Sequence, residues 1–220
     1  MPARRILILQ GHPGPAGRHF CHALAERYRE AAQASSREVR TIDIARLNFP
    51  LLRSKADWDA ETLPPALAAA QRDIAWADHL VIVFPLWLGD MPALLKGFPS
   101  RSYGPGSPSA PAAQGGMGKK LLVGRSARIV VTMGMPAFVY RWYFGAHSVR
   151  LLERDIFRFV GFAPVQRSVI GSVEGKDARR RALARRPGRA GTARPVREQW
   201  GVAAPGGPPR GQASERWLSS

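Results

Sequence analysis

The 220-residue chain contains one cysteine, Cys21. A single cysteine excludes an internal disulfide and a zinc site built from several cysteines, and it leads us to expect no metal centre and a reducing, cytoplasmic setting. No apolar run reaches the roughly 18 residues of a membrane-spanning helix. The short apolar run over residues 6–9 is too brief for a secretory signal. The GxGxxG and GxxxxGK[ST] phosphate-binding fingerprints are also absent.

Acidic residues are scarce. The chain has 16 Asp and Glu against 33 Lys and Arg, a net charge of +17. Residues 176–220 hold 11 of the basic residues but only 3 acidic ones, together with 5 Pro and 6 Gly, and show no apolar period. This composition is typical of a disordered, solvated basic tail. Nucleic acid is not the expected partner, because aromatic side chains are not interleaved with the basic ones as stacking platforms.

Residues 1–175 alternate strand and helix patterns, which predicts one domain with a parallel sheet covered by helices on both faces. We expect an α/β fold, a flavodoxin-like doubly wound five-stranded parallel sheet in three α/β/α layers. The predicted strands are Arg5–Gln10, Glu38–Asp43, His79–Phe84, Ala127–Met133 and Pro164–Gly171. The predicted helices are His19–Ala34, Pro64–Ala77, one that begins at Met91–Phe98, and a long amphipathic helix within Tyr140–Val160.

Ligands of such sheets bind beyond the carboxyl ends of the strands, so the loops after strands one, three and four are the candidate site. The first loop is rich in Gly and Pro and leads into a helix. Backbone N–H groups at a helix N-terminus, with His12, Arg18 and His19, can hold a phosphate. The alternative is a flexible turn that carries surface histidines.

The other two loops offer apolar and proton-donating groups. After strand three, Trp87 has a flat face for a planar ring system, although a Trp at this position can equally cap the core. After strand four, Gly134 allows close approach of a ligand to the backbone. Tyr140 and His147 lie seven residues apart, about two helical turns, and would share one face of a continuous helix. They can present a hydroxyl and an imidazole to one substrate, or can simply lie at a helix surface.

Three segments taken together resemble a known family: GHP at 11–13, FPLWLGDMPALLKGF at 84–98 and GRSARIVVTMGMPAFVYRWYFGAH at 124–147. They are similar to the flavodoxin-like NAD(P)H:quinone oxidoreductases. That family includes mammalian quinone reductase, bacterial modulators of drug activity and the ancillary oxidoreductase of glutathione-gated potassium efflux. The resemblance covers residues 4–98 and 117–175, and the second segment is its most specific part.

The resemblance implies a homodimer that binds FMN or FAD and passes a hydride from NAD(P)H through the flavin to a quinone-like acceptor. The flavin supplies the redox chemistry, and the protein positions and tunes it. Tyr140 and His147 resemble the catalytic pair that stabilises charge on the reduced flavin or the acceptor. The resemblance implies three groups of flavin-binding residues. The phosphate and ribityl chain would be held by His12, Arg18, His19, Phe20 and Cys21, and the ring by Pro85, Leu86, Trp87, Leu88 and Gly89. The pyrimidine side of the ring would be held by Thr132, Met133, Gly134 and Met135.

The sequence departs from the family at several points. Leu88 stands where a second aromatic residue is common, and Cys21 stands where several members have Asn. Residues 99–116 contain 4 Pro and 4 Gly and lack the expected helix end and flavin-covering loop. Read two nucleotides out of frame, Phe98–Ala110 permits the expected segment LEVLRPGFAF. We interpret 99–116 as a frameshifted insert, restored before Met117, with a second shift near Ala182; sequencing the gene tests this.

Two other functions remain open. The chain can be a redox-sensing regulatory subunit that docks on a membrane potassium-efflux protein, or an inactive remnant of the enzyme. Turnover of NAD(P)H with added flavin and a benzoquinone separates the enzyme from both. The remnant would stay colourless with excess FMN.

Overall fold

The computed structural model describes residues 5–17, 19–59, 63–102 and 122–174. Its five strands form one parallel sheet in the order β2-β1-β3-β4-β5, which confirms the predicted fold class. The strands are β1 Arg5–Gln10, β2 Glu38–Asp43, β3 His79–Pro85, β4 Ser126–Thr132 and β5 Val165–Ile170. The predicted basic tail at 176–220 and residues 103–116 of the predicted insert lie outside the described residues.

Burial explains the strand patterns. Every residue of β3 and β4 is buried, because these central strands are covered on both faces and therefore read as continuous apolar runs. The edge strands β2 and β5 are only partly buried and carry more polar residues. Pairs such as Ile8 with Val81, and Val83 with Val130, set the parallel register that brings the carboxyl ends of the three inner strands to one edge.

Helices cover the two faces of the sheet. The helix bounds are α1 Phe20–Ala34, α2 Lys55–Asp59, α3 Pro65–Trp76, α4 Ala93–Ser102, α5 Ala137–Trp142, α6 His147–Leu151 and α7 Arg158–Val160, with a π-helical turn over Leu152–Phe157. The main apolar core joins one face, through Leu7 and Ile82, to α3, α4 and the Leu152–Phe157 turn. Helix α1 contacts β1, β2 and β3, and its buried stripe includes Cys21 and Tyr28.

The long helix predicted within Tyr140–Val160 is present from His147 to Val160, where α6, the π-helical turn and α7 follow one another without a gap, but it does not include Tyr140. Helix α5 ends at Trp142, and the chain turns through Gly145 (φ 59°) and Ala146 (φ 49°) before α6 begins at His147. Left-handed backbone of this kind ends a helix, and Gly is the residue that adopts it most readily. The apolar spacing from Val149 onward therefore describes only the helical run that follows this turn.

Helix α4 extends further than expected. It begins at Ala93, and it continues through Pro99 to Ser102, four residues into the predicted irregular insert. A proline inside a helix removes one backbone hydrogen bond. The Ser100 hydroxyl, one residue later, donates to the Lys96 carbonyl at 3.0 Å.

Within the described ranges, none of the helices has both the length and the apolar character needed to cross a bilayer.

Candidate flavin site at the carboxyl edge of the sheet

The three loops singled out from the sequence meet at the carboxyl edge. The rings of His12 and Trp87 lie edge to face with centroids 5.7 Å apart, which joins the first loop to the loop after β3. The backbone N–H of Leu86 donates to the Thr132 carbonyl at 2.7 Å, which joins that loop to the end of β4. Cys21 Sγ lies 3.1 Å from Thr132 Oγ1, and this contact connects the first turn of α1 to the end of β4.

Three histidines cluster in the first loop and the first turn of α1. The rings of His12 and His19 stack at 3.8 Å, and the His12 and His22 centroids are 5.3 Å apart. Nδ1 of His12 accepts a hydrogen bond from the backbone N–H of Gly14 at 2.9 Å. Burial, followed by repulsion from the charged forms of His19 and His22, lowers the pKa of His12 to about 4. Burial also lowers the pKa of His22.

Two polar side chains at this cluster have atoms without a hydrogen-bond partner among the described residues. Gln10 is buried, and its Oε1 accepts from the backbone N–H of His12 at 3.0 Å, but no described residue pairs with its Nε2. Both ring nitrogens of His22 are likewise buried and have no partner within the described part of the chain. Buried polar groups normally find partners, so orphaned donors at one edge of a sheet point to a ligand. Neither residue was among the sequence-based site predictions, although His22 lies one residue after Cys21 and Gln10 ends β1.

A groove of about 450 Å³ opens beside the cluster, between α1 and the edge strand β2. Charged residues of both signs, Glu26, Arg29 and Asp43, line it together with Gln10 and His22. The sequence-predicted residue His19 also lines it, whereas Arg18 lies outside the described residues. The groove therefore carries charged and polar side chains and is separate from the apolar core.

The loop after β3 is a tight turn. Trp87 and Asp90 exchange two backbone hydrogen bonds of 2.8 and 3.0 Å, and Leu88 (φ 47°) and Gly89 (φ 84°) occupy the two central positions. Two successive positive φ values define a type I′ turn, which favours Gly. Trp87 is 49% exposed, so it does not cap the core, and Leu88 is fully exposed at the tip. Pro85 is buried at the end of β3.

The loop after β4 is held by the loop after β5. The backbone N–H of Ser172 donates to the Met135 carbonyl at 3.0 Å, and that of Val173 donates to the Met133 carbonyl at 3.2 Å. Thr132 and Met133 are buried, whereas Gly134 is exposed. A Cβ built on Gly134 would lie 2.5 Å from Oε1 of Glu174, so this carboxylate rests against the backbone of the loop.

The structure does not place Tyr140 and His147 on one helix face, since the break at residues 143–146 separates them. Tyr140 is only 2% exposed; its hydroxyl lies 2.6 Å from Ser148 Oγ and accepts from the backbone N–H of Val149 at 3.4 Å. The premise of a shared helix face is therefore wrong. His147 is exposed, and its ring lies over Gly145.

Across the described parts of the chain, no group of three or more His, Cys, Asp or Glu side chains is arranged to hold a metal ion. The orphaned donors of Gln10 and His22, the half-exposed face of Trp87 and the exposed backbone at Gly134 instead fit an aromatic ligand with an anionic end.

A family model described as Flavodoxin-like fold matches residues 4–190. A Haemophilus influenzae protein named "Uncharacterized NAD(P)H oxidoreductase" is 26% identical over 171 residues, which cover 76% of this chain and 83% of that protein.

Two solved structures share the fold. An NAD(P)H:quinone oxidoreductase from Methanothermobacter marburgensis has a TM-score of 0.68 and 22% identity and covers 84% of this chain and 94% of its own. An FMN-dependent NADH-azoreductase from Bacillus anthracis, in complex with FMN, has a TM-score of 0.62 and 16% identity and covers 82% of this chain and 94% of its own. The match to the family model spans most of the sequence, and this chain therefore belongs to the flavodoxin-like fold family.

Proposed function

We propose that this protein is a flavin-dependent NAD(P)H oxidoreductase that reduces a quinone-like acceptor. The observation that carries the proposal is the convergence of His12, Trp87 and Thr132 at one sheet edge, where buried donors have no partner among the residues that the structure describes. The relative is named as an NAD(P)H oxidoreductase, and the two solved structures are named as an NAD(P)H:quinone oxidoreductase and an FMN-dependent NADH-azoreductase. These names support the reaction class.

The histidine cluster would hold the flavin phosphate. Gln10 Nε2 is a donor, and the neutral ring of His22 supplies one more; neither has a partner among the described residues. Helix α1 directs its N-terminal backbone N–H groups toward the same end. An anionic phosphate at this place favours protonated imidazoles, which offsets the lowering of the His12 pKa by burial. His19 stacks on His12 and orients it, and Phe20 and Cys21 form the start of the helix.

Trp87 and the neighbouring turn would border the flavin ring. The exposed indole gives an apolar contact, and the backbone from Leu86 to Gly89 offers peptide groups at the ring edge. The backbone of Thr132–Met135 would meet the pyrimidine side, where the exposed Gly134 allows close approach. When bound, the flavin accepts a hydride from NAD(P)H and passes it on.

Either FMN or FAD fits this arrangement. One solved relative is named as a complex with FMN, which supports a mononucleotide. The groove beside α1 has about 450 Å³ of room next to His19 and offers Asp43 and Arg29 as polar partners, so it can take the adenosine end of FAD. Mass measurement of the released cofactor decides between the two.

His147 is the better-placed candidate proton donor. Its imidazole is exposed at the start of α6, whereas the Tyr140 hydroxyl is engaged by Ser148 and the Val149 backbone. An imidazole near a developing anion stabilises it by hydrogen bonding. We retain Tyr140 in the proposal as the residue that fixes the start of α6, and so the position of His147.

We also propose a homodimer. Apolar side chains on α5 and in the turn that follows it are strongly exposed, and such a concentration marks an interaction surface. They are Phe138, Trp142, Tyr143 and Phe144. The same surface is the candidate contact for a membrane-protein partner if the chain acts as a regulatory subunit. The single, buried thiol suits a reducing cytoplasm.

The decisive experiment titrates the purified full chain with FMN and with FAD and follows visible absorption and flavin fluorescence. Trp87→Ala should weaken flavin affinity by at least tenfold, because it removes the ring contact, about 1.4 kcal/mol. The matched control is Trp58→Ala, since Trp58 is similarly exposed at 39% but lies on α2 and not in one of the three converging loops.

The same samples are then assayed for NAD(P)H oxidation with a benzoquinone. Flavin-dependent turnover supports the enzyme. Flavin binding without turnover, together with retained binding to a membrane partner, supports the regulatory subunit. No flavin binding at saturating concentration supports the inactive remnant and overturns the proposal.

A further inference from the structure

The loop after β5 carries an acidic side chain into the candidate site, and no part of the proposed function uses it. Glu174 lies with both carboxylate oxygens and its Cδ within 2.8 Å of the position that a Cβ on Gly134 would take. Only a glycine leaves room for this carboxylate against the backbone, since any side chain at position 134 would displace it.

The position of Glu174 is fixed by its loop. Ser172 adopts a left-handed conformation (φ 57°), which turns the chain back toward the sheet. Its N–H donates to the Met135 carbonyl at 3.0 Å, and the Val173 N–H donates to the Met133 carbonyl at 3.2 Å. The approach is so close that a Cβ on Gly171 would lie 2.3 Å from the backbone nitrogen of Ala137. These backbone contacts hold the segment that carries Glu174 beside the Met133–Met135 loop, where its carboxylate lies against Gly134.

The described residues do not neutralise the charge of Glu174. Among them, none of the lysine, arginine or histidine side chains forms an ion pair with it within 4.0 Å. It is also exposed, so it keeps its hydration while the site is open. A bound aromatic ring would strip part of that water and strengthen the effect of the charge on the ring.

We propose that Glu174 sets the charge at the pyrimidine end of the flavin site and holds the bound flavin at a lower reduction potential. This inference rests on the proposed function. A flavin whose pyrimidine side meets the Met133–Met135 loop presents there an N3–H donor and the N1–C2 carbonyl region. On reduction, negative charge collects over that region. A carboxylate accepts a hydrogen bond from N3–H in both states but repels the charge of the reduced state alone.

The consequence is differential binding. The oxidised flavin is held by the hydrogen bond, whereas the reduced flavin is held less tightly, so it is a stronger donor toward an acceptor. A tenfold difference in the ratio of the two affinities corresponds to about 30 mV in a two-electron potential.

The test compares the full chain with Glu174→Gln, which keeps the shape and removes the charge. Its matched control is Glu30→Gln, an equal charge change on the exposed side of α1. Flavin affinity is measured by fluorescence for the oxidised form, and the two-electron potential of the bound flavin is measured by equilibration with a reference dye. We expect Glu174→Gln to raise the potential by about 30 mV, a tenfold shift in favour of the reduced form, and Glu30→Gln to leave it unchanged.

Three results would overturn the inference. Equal potentials for wild type and Glu174→Gln, with flavin bound to both, would refute the role of Glu174 and leave the proposed function intact. If Glu174→Gln bound the oxidised and the reduced flavin more tightly by the same factor, Glu174 would only obstruct the site. No flavin binding by wild type or by either variant would refute the proposed function together with this inference.

Discussion

The Cys21 thiol and the Thr132 hydroxyl are in contact, with Sγ and Oγ1 3.1 Å apart. Cys21 belongs to the first turn of α1 and Thr132 ends β4, so this contact ties the histidine-bearing end of the helix to the loop that carries Gly134. Both residues are buried, at 2% exposure each. The site is therefore anchored on a helix and a strand rather than on loops alone.

We predict that Cys21 is inert in the folded protein. Burial raises the pKa of its thiol to about 11, so at neutral pH it remains protonated, and the thiolate is the reactive form. Ellman's reagent at pH 8 should label no thiol in the native chain and one thiol per chain in guanidinium chloride. Rapid stoichiometric labelling of the native protein would contradict the burial of Cys21.

Tyr140→Phe is expected to affect stability rather than chemistry. The change removes the hydroxyl contact with Ser148 and the acceptor for the Val149 N–H, so the free energy of unfolding should fall by about 1 kcal/mol. The flavin-dependent rate should change less than twofold. Urea denaturation and steady-state assays of the variant measure both quantities.

Ser148→Ala is the matched partner for that experiment, because it removes the other side of the same contact. The double variant should cost less than the sum of the two single variants, as expected for residues that interact directly. A rate loss of tenfold or more in Tyr140→Phe at unchanged stability would instead support a catalytic hydroxyl.

Acid should destabilise the protein through His12. Its pKa of about 4 in the folded chain lies below the ordinary value of 6.5, so between these two pH values the unfolded chain binds more protons. The free energy of unfolding therefore falls as pH decreases from about 6.5 toward about 4. His12→Asn keeps an acceptor for the Gly14 N–H and removes the titration, so it should flatten this pH dependence.

The remaining slope in that variant should come partly from His22, whose pKa is lowered in the same direction by burial. Urea denaturation at pH values from 4 to 7 measures the slope. His147→Asn is the control, since this histidine is exposed and belongs to α6 instead of the first loop or α1. An unchanged slope in His12→Asn would show that His12 does not remain neutral in the folded protein.

Strand positions could be read from the sequence because buried parallel strands are short apolar runs bounded by turns. Arg5–Gln10 and Glu38–Asp43 have the predicted bounds, β3 ends one residue later than predicted, and β4 and β5 differ from the prediction by one residue at each end. The loops that converge were also identifiable, because their place after parallel strands puts them at one edge.

The features of the site that the sequence did not predict depend on contacts between residues distant in the sequence. The break before His147 was missed because apolar spacing does not report the left-handed backbone at Ala146. The orphaned Nε2 of Gln10 becomes visible only when its neighbours are known, since its Oε1 is engaged by the His12 backbone. Glu174 reaches Gly134 through tertiary hydrogen bonds that no local pattern predicts.

Gly171→Ala should weaken the union of the two loops after β4 and β5. The new Cβ would lie 2.3 Å from the Ala137 nitrogen and 2.6 Å from the Met135 carbonyl, and both are backbone atoms that cannot rotate away. The loops must separate, at a cost of about 1–3 kcal/mol typical of overpacking. The backbone N–H of Ser172 would lose its bond to Met135, and its hydrogen exchange should accelerate.

The control is Gln33→Ala, which changes a side chain on the exposed side of α1 and should leave the exchange at Ser172 unchanged. Unaltered stability and exchange at Ser172 in Gly171→Ala would mean that the loops are not in contact, and the placement of Glu174 against Gly134 would then fail as well.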